Sequence, residues 1–103
     1  MTEIVCTAKR AGDFESRTEE YVMAFSVDGT SRTLSVKYLA SRAYEINAAL
    51  DSCVEAIREA ISEAELDGLE TRPTDEKLSQ FSWRAMQSVK YDEGGEKTSK
   101  LEL

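Results

Sequence analysis

The chain has no histidine in its 103 residues. That removes the commonest general base and the commonest metal ligand, so neither a Ser-His-Asp nor a Cys-His arrangement can be assembled. Its two cysteines, Cys6 and Cys53, form no CxxC pair, and a structural zinc site has no basis. Five glycines are too few and too scattered for GxGxxG or GxxxxGKS/T, so no phosphate-binding loop is present. No stretch approaches the roughly 18 consecutive apolar residues of a membrane span. The opening MTEIVC lacks a basic n-region and an apolar run of signal length, so a cytoplasmic location with reduced thiols is expected.

Basic charge is also in short supply: 13 Lys and Arg stand against 20 Asp and Glu, a net charge of −7. Like charges repel, so direct binding of nucleic acid or of an anionic membrane is not expected. A protein partner would be basic or neutral. Acidic pairs occur at Glu19-Glu20, Asp75-Glu76 and Asp92-Glu93, but each adjoins polar sequence and reads as solvated surface. Two catalytic carboxyls would need a cleft and one raised pKa, which nothing here suggests. The run Asp92, Glu93, Gly94, Gly95, Glu96 lacks the EF-hand loop spacing for calcium. No enzyme, cofactor or metal is expected.

What the chain does have is enough apolar sequence for one domain, with hydrophobic residues at 41% against 32% charged. Residues 3–10 alternate and are rich in β-branched types, which predicts a first strand with Ile4, Cys6 and Ala8 on one face. Residues 11–19 read as a connection, with Phe14 folding back onto the core. Residues 21–27 alternate clearly, placing Tyr21, Met23, Phe25 and Val27 together. Asp28-Gly29 then suits a hairpin turn, and residues 30–38 alternate again through Leu34, Val36 and Tyr38. A two-residue turn would pair Val27 with Thr30, and a four-residue loop would pair Val27 with Arg32. Both keep the large apolar residues on one face.

The longest pattern covers residues 39–66. Leu39, Ala43, Ile46, Leu50, Cys53, Ile57, Ala60 and Ala64 recur in steps of four and three, which predicts an amphipathic helix about 40 Å long lying across the hairpin. Its end is expected at Leu66-Asp67-Gly68, with Gly68 as a left-handed cap. Thr74 then resembles an N-cap followed by acids. A helix over 75–89 fits better than the alternative, a strand through Phe81, Trp83 and Ala85. Residues 92–103 show no core-forming pattern and read as a mobile tail after a domain spanning 1–91; the alternative, Gly94-Gly95 as a hairpin turn, would be followed by a poor strand. The expected fold is α+β: a three-stranded antiparallel meander covered by one long helix, then a shorter C-terminal helix and a flexible tail. Cys53 reads as a small core residue and Trp83 as a core anchor.

Charge is unevenly placed. Residues 39–70 hold eight acids against two bases, Arg42 and Arg58, a net −6, while the rest of the chain is nearly neutral. Asp51, Glu55, Glu59 and Glu63 follow one another every fourth residue. Glu favours helices and charged faces are common, so a solvated surface is the plain reading. Yet acid faces acid at three successive i, i+4 steps, and Glu63, Glu65 and Asp67 crowd the helix end that the macrodipole makes negative. Stability alone would put lysine or arginine there. With steps of about 6 Å, such a row resembles phosphate spacing and could occupy a basic groove. No internal basic cluster is expected to match it.

In size, acidity and architecture the chain is similar to the small inhibitors and nucleic-acid mimics that phages and mobile elements direct against host defence systems. The likeness is one of class, carries no motif and transfers no site. The acidic row itself leads to the expectation of a protein that blocks a basic, nucleic-acid-handling partner, such as a nuclease, through Asp51, Glu55, Glu59 and Glu63, with Glu45 and the off-stripe Tyr44 beside them. The alternative is a structural or chaperone-like homodimer built by pairing sheets or long helices. Ala48, Ala49 and Ala56 flatten the helix enough for that.

Overall fold

The computed structural model describes residues 2–11, 18–66, 68, 72–92 and 95–102. In chain order these form β1 (Glu3–Arg10), β2 (Thr18–Val27), β3 (Thr30–Leu39), α1 (Ala43–Glu63), α2 (Asp75–Val89) and β4 (Glu96–Glu102). The strands make one antiparallel sheet in the order β3-β2-β1-β4. α1 crosses β3 and β2, and α2 crosses β1 and β4, so both helices cover the same face.

Strand alternation decides that face. Ile4, Cys6 and Ala8 of β1, Tyr21, Met23, Phe25 and Val27 of β2, and Val36 and Tyr38 of β3 are all buried under the helices. The opposite face carries small or polar residues, among them Val22, Ala24 and Ser26 of β2 beside Ser35, Thr33 and Ser31 of β3. It remains uncovered by any described element, as suits an antiparallel sheet with one packed side.

The two-residue turn is the one formed. Asp28 (φ 48°) and Gly29 (φ 85°) both lie in the left-handed region, the type I′ conformation, which matches the twist of a β-hairpin. Val27 therefore pairs with Thr30 and Met23 with Leu34.

Three expectations are corrected. Residues 96–102 are not a mobile tail but a fourth strand, paired with β1 from Glu3↔Glu102 to Lys9↔Glu96. This strand is mostly solvated, with Ser99 and Leu101 only half-buried, so no apolar period marks it in sequence. Its hold on the sheet is the backbone ladder, with Leu101 against the core and the Thr7 and Thr98 hydroxyls 3.4 Å apart.

Second, the helix does not reach back to Leu39. Leu39 is the last residue of β3, opposite Thr18, and α1 begins at Ala43, giving 21 residues and about 32 Å. The four-residue step from Leu39 to Ala43 matched the helical period, but cross-strand pairing claims Leu39 first. Third, α1 ends at Glu63 with Ala64 as cap, and the chain turns left-handed at Glu65 (φ 54°), before Gly68 (φ 80°). Gly68 has the expected conformation without being the cap.

α2 is the helix expected over 75–89. The Thr74 hydroxyl accepts the Lys77 N–H at 3.1 Å, and Asp75 and Glu76 sit at the positive end of the macrodipole. Its stripe of Leu78, Phe81, Ala85, Met86 and Val89 is buried. Cys53 and Ile57 of α1 are fully buried, and Trp83 packs against the core, its ring centroid 6.5 Å from that of Tyr38. Among the described residues no helix is long and apolar enough to cross a membrane. Phe14, the glycine–aspartate pair before it, and Gly94 lie outside the described residues.

Candidate binding surface

A row of residues four apart is not straight on an α-helix. At 3.6 residues per turn each step advances about 40°, so three steps swing the row through about 120°. Asp51 and Glu55 consequently face the side toward α2, while Glu59 and Glu63 reach the side toward β3.

The β3 side holds an internal partner, contrary to expectation. The Arg32 guanidinium bonds Glu63, and its Nε lies 3.6 Å from Glu59 Oε2. Arg32 is an inward-pointing residue of β3 at the register position opposite Phe25, and this directs its long side chain up to the last turns of α1. The two glutamates near the negative end of the macrodipole are thus compensated across the fold rather than within the helix.

On the α2 side, Asp51, Val54, Glu55 and Arg58 of α1 face Asp75, Glu76 and Ser79 of α2 across an open groove of about 560 Å³. Arg58 bridges the helices, donating to Asp75 Oδ1 at 2.7 Å and to the Pro73 carbonyl at 2.7 Å. Asp51, Glu55 and Glu76 remain exposed around it. Four carboxylates against one guanidinium leave this groove net acidic. Asp75 and Glu76 belong to it although they read from the sequence as no more than the opening of a helix. Only the packing of α2 beside α1 reveals that, since nothing in sequence ties residue 51 to residue 76.

Glu45 and Tyr44 take other roles. Glu45 is half-buried in the first turn of α1, with Oε1 accepting the Leu39 N–H at 3.4 Å and Oε2 3.3 Å from Arg42. It fastens the end of β3 to the helix start, where a negative charge is favoured. Tyr44 is 66% exposed, and its hydroxyl lies 3.1 Å from Arg42 Nη1. Asp51, Glu55, Glu59 and Glu63 thus share one helix, but they are brought together only in two pairs.

A second polar cluster lies at the far end of the sheet. Glu19, which reads from the sequence as a solvated acid, is buried, because β2 begins at Thr18 and alternation turns position 19 inward with Tyr21. The Tyr21 hydroxyl donates to Glu19 Oε1 at 2.7 Å, and Lys90 Nζ stands 3.8 Å from the same oxygen. Buried Arg10 donates to the Lys90 carbonyl at the end of α2, where a cation complements the macrodipole. Burial, reinforced by the bond to Glu19, pushes the Tyr21 hydroxyl far above its ordinary value. Burial also pushes Tyr38 up to about 12. The tyrosine rings stack with centroids 6.1 Å apart. The cluster ties β1, β2 and the C-terminus of α2 together.

Cys6 and Cys53 are free thiols, both fully buried, and burial pushes each up to about 12. Neither is a nucleophile at neutral pH. Among the described residues no group of three metal-ligating side chains converges. Compared with protein-family models, with curated proteins and with solved structures, the chain shows no match.

Proposed function

We propose that this protein is a non-catalytic acidic binder, an inhibitor of the kind made against host defence systems, that docks on a basic nucleic-acid-handling protein through α1. The observation that supports the reading is the groove between α1 and α2, where Asp51, Glu55, Asp75 and Glu76 surround Arg58 over the buried Val54. Arginine or lysine side chains that normally hold phosphates would enter this groove. Mimicry here rests on a concave cluster of carboxylates rather than on a straight row of four.

The test is a charge-neutralised variant, Asp51→Asn/Glu55→Gln/Glu76→Gln, measured against basic nucleases and their nucleic-acid complexes at low and moderate salt. The variant should bind at least tenfold more weakly with a shallower salt dependence. Unchanged affinity and unchanged salt slope would remove the groove from the interface.

A further inference from the structure

We infer that a second copy of this chain docks antiparallel along the outer edge of β3, joining two four-stranded sheets into one of eight strands. The turn at Asp28-Gly29 sets the hydrogen-bond phase. In a two-residue type I′ hairpin the flanking pair, Val27 and Thr30, exchanges both backbone bonds, and every second residue thereafter does the same. Thr30, Arg32, Leu34, Val36 and Tyr38 therefore bond to β2. Ser31, Thr33, Ser35, Lys37 and Leu39 aim their N–H and C=O groups the other way.

Leu39 is already engaged at that edge, its N–H by Glu45 at 3.4 Å and its carbonyl by the Arg42 N–H at 3.0 Å. The Ser31 carbonyl accepts from Arg32 at 3.1 Å. Among the described residues no strand pairs with β3 on this side. Ser31, Thr33, Ser35 and Lys37 are all exposed, so a short open edge remains.

Its occupant is argued from symmetry, packing and charge. The four outward residues are centred on Leu34, so an antiparallel second β3 pairs Ser31 with Lys37 of the second copy and Thr33 with Ser35 of the second copy. The two Lys37 side chains stay far apart, and the half-buried Leu34 residues meet at the two-fold axis. The side of α1 above this edge is mostly small: Ala48, Ala49 and Ser52, with Glu45 at one end, border a recess of about 280 Å³ with Ser35, Val36 and Lys37. Small residues let a second helix approach to the roughly 8–10 Å of ordinary helix packing. One two-fold operation thus fills both edge and recess, whereas a lone extended peptide fills only the edge.

The acids near this edge are paired within the chain: Glu59 and Glu63 are held by Arg32, and Glu45, which lines the recess, lies 3.3 Å from Arg42, while Asp51 and Glu55 turn toward α2. The other edge of the sheet contrasts with this one. β4 carries Glu96, Lys97, Lys100 and Glu102 among its seven residues, the charged pattern that discourages edge pairing. β3 runs through ten register pairs without a bulge or a proline.

Sedimentation velocity of the full chain from about 1 to about 500 µM, where a modest interface associates, should show the 11.5 kDa monomer giving way to a dimer. Ser35→Pro removes an N–H that points away from β2, so the β2–β3 ladder survives. In case proline disturbs the strand, Thr33→Lys/Ser35→Lys keeps the backbone groups and sets like charges opposite each other across the new pair. Each variant should raise the dimer dissociation constant at least tenfold with an unchanged circular dichroism spectrum. The Thr33 and Ser35 amides should be protected from hydrogen exchange only at dimer-forming concentrations. A monomer across the whole range would overturn the inference, as would a dimer indifferent to both variants. The α1–α2 groove stays open in this dimer, so neutralising Asp51, Glu55 and Glu76 tests a separate surface.

Discussion

Arg32 on β3 reaches across to Glu63 on α1, with Glu59 at 3.6 Å on its flank, so a single strand cation compensates the C-terminal half of the helix's acidic row. The side chains are 35% exposed for Arg32 and 54% for Glu63, which limits what the pair contributes. Arg32→Gln should lower unfolding stability by no more than about 1 kcal/mol, and the loss should shrink in high salt. Urea denaturation at two salt concentrations checks this. A loss that salt leaves untouched would show that the arginine acts through packing of its stem instead.

Glu19 should matter more than any acid of α1, because it is buried and accepts from Tyr21 at 2.7 Å. Glu19→Ala leaves a buried hydroxyl and Lys90 without their acceptor, a cost of about 1–3 kcal/mol. Glu19→Gln retains an oxygen acceptor and should lose less. Equal urea midpoints for the alanine variant and the wild type would show that the cluster carries no stability.

Alkali should unfold the protein through groups whose folded pKa lies above the unfolded one. Cys6 and Cys53 are pushed up from 9.0 to about 12, and Tyr38 from 10.0 to about 12, with Tyr21 shifted the same way. In that window the unfolded chain has released protons that the folded chain still holds, so stability falls as pH rises. The contribution is complete below pH 9 and is lost progressively between pH 9 and 12. A pH series of thermal midpoints should show this decline. Serine at both cysteine positions should remove its lower part. Native thiols should also resist a thiol reagent at pH 8 and react once urea unfolds the chain.

Removing residues 96–102 should be costly, although they look dispensable in sequence. The deletion strips β1 of a seven-residue partner and uncovers the site where Leu101 packs. A loss of at least about 2 kcal/mol is expected from the ladder bonds and apolar burial together, with aggregation through the bared β1 edge. An unchanged melting temperature would mean that this strand contributes nothing to the fold.

Local patterns in the chain account for much of this architecture. Alternation through Tyr21, Met23, Phe25 and Val27 sufficed for β2, Asp28-Gly29 for the turn, and Thr74 followed by Asp75 and Glu76 for the start of α2. Each of these signals is contained within a few residues. The candidate site was half legible: Asp51 and Glu55 stood out by spacing, but Asp75 and Glu76 did not, because their role depends on α2 lying beside α1.

By itself, then, the sequence determined which apolar residues of β1, β2 and β3 face the core, where the hairpin turns, that histidine chemistry is absent, and that acid is concentrated on one helix. Tertiary structure decided the rest. It chose strand over helix for Leu39, because pairing with Thr18 outweighs a matching helical step. It made a strand of residues 96–102, whose only strong reason to be extended is the open edge of β1. It turned Glu19 inward and divided the acidic row between Arg32 and the α2 groove, because helical twist carries residues four apart to different neighbours.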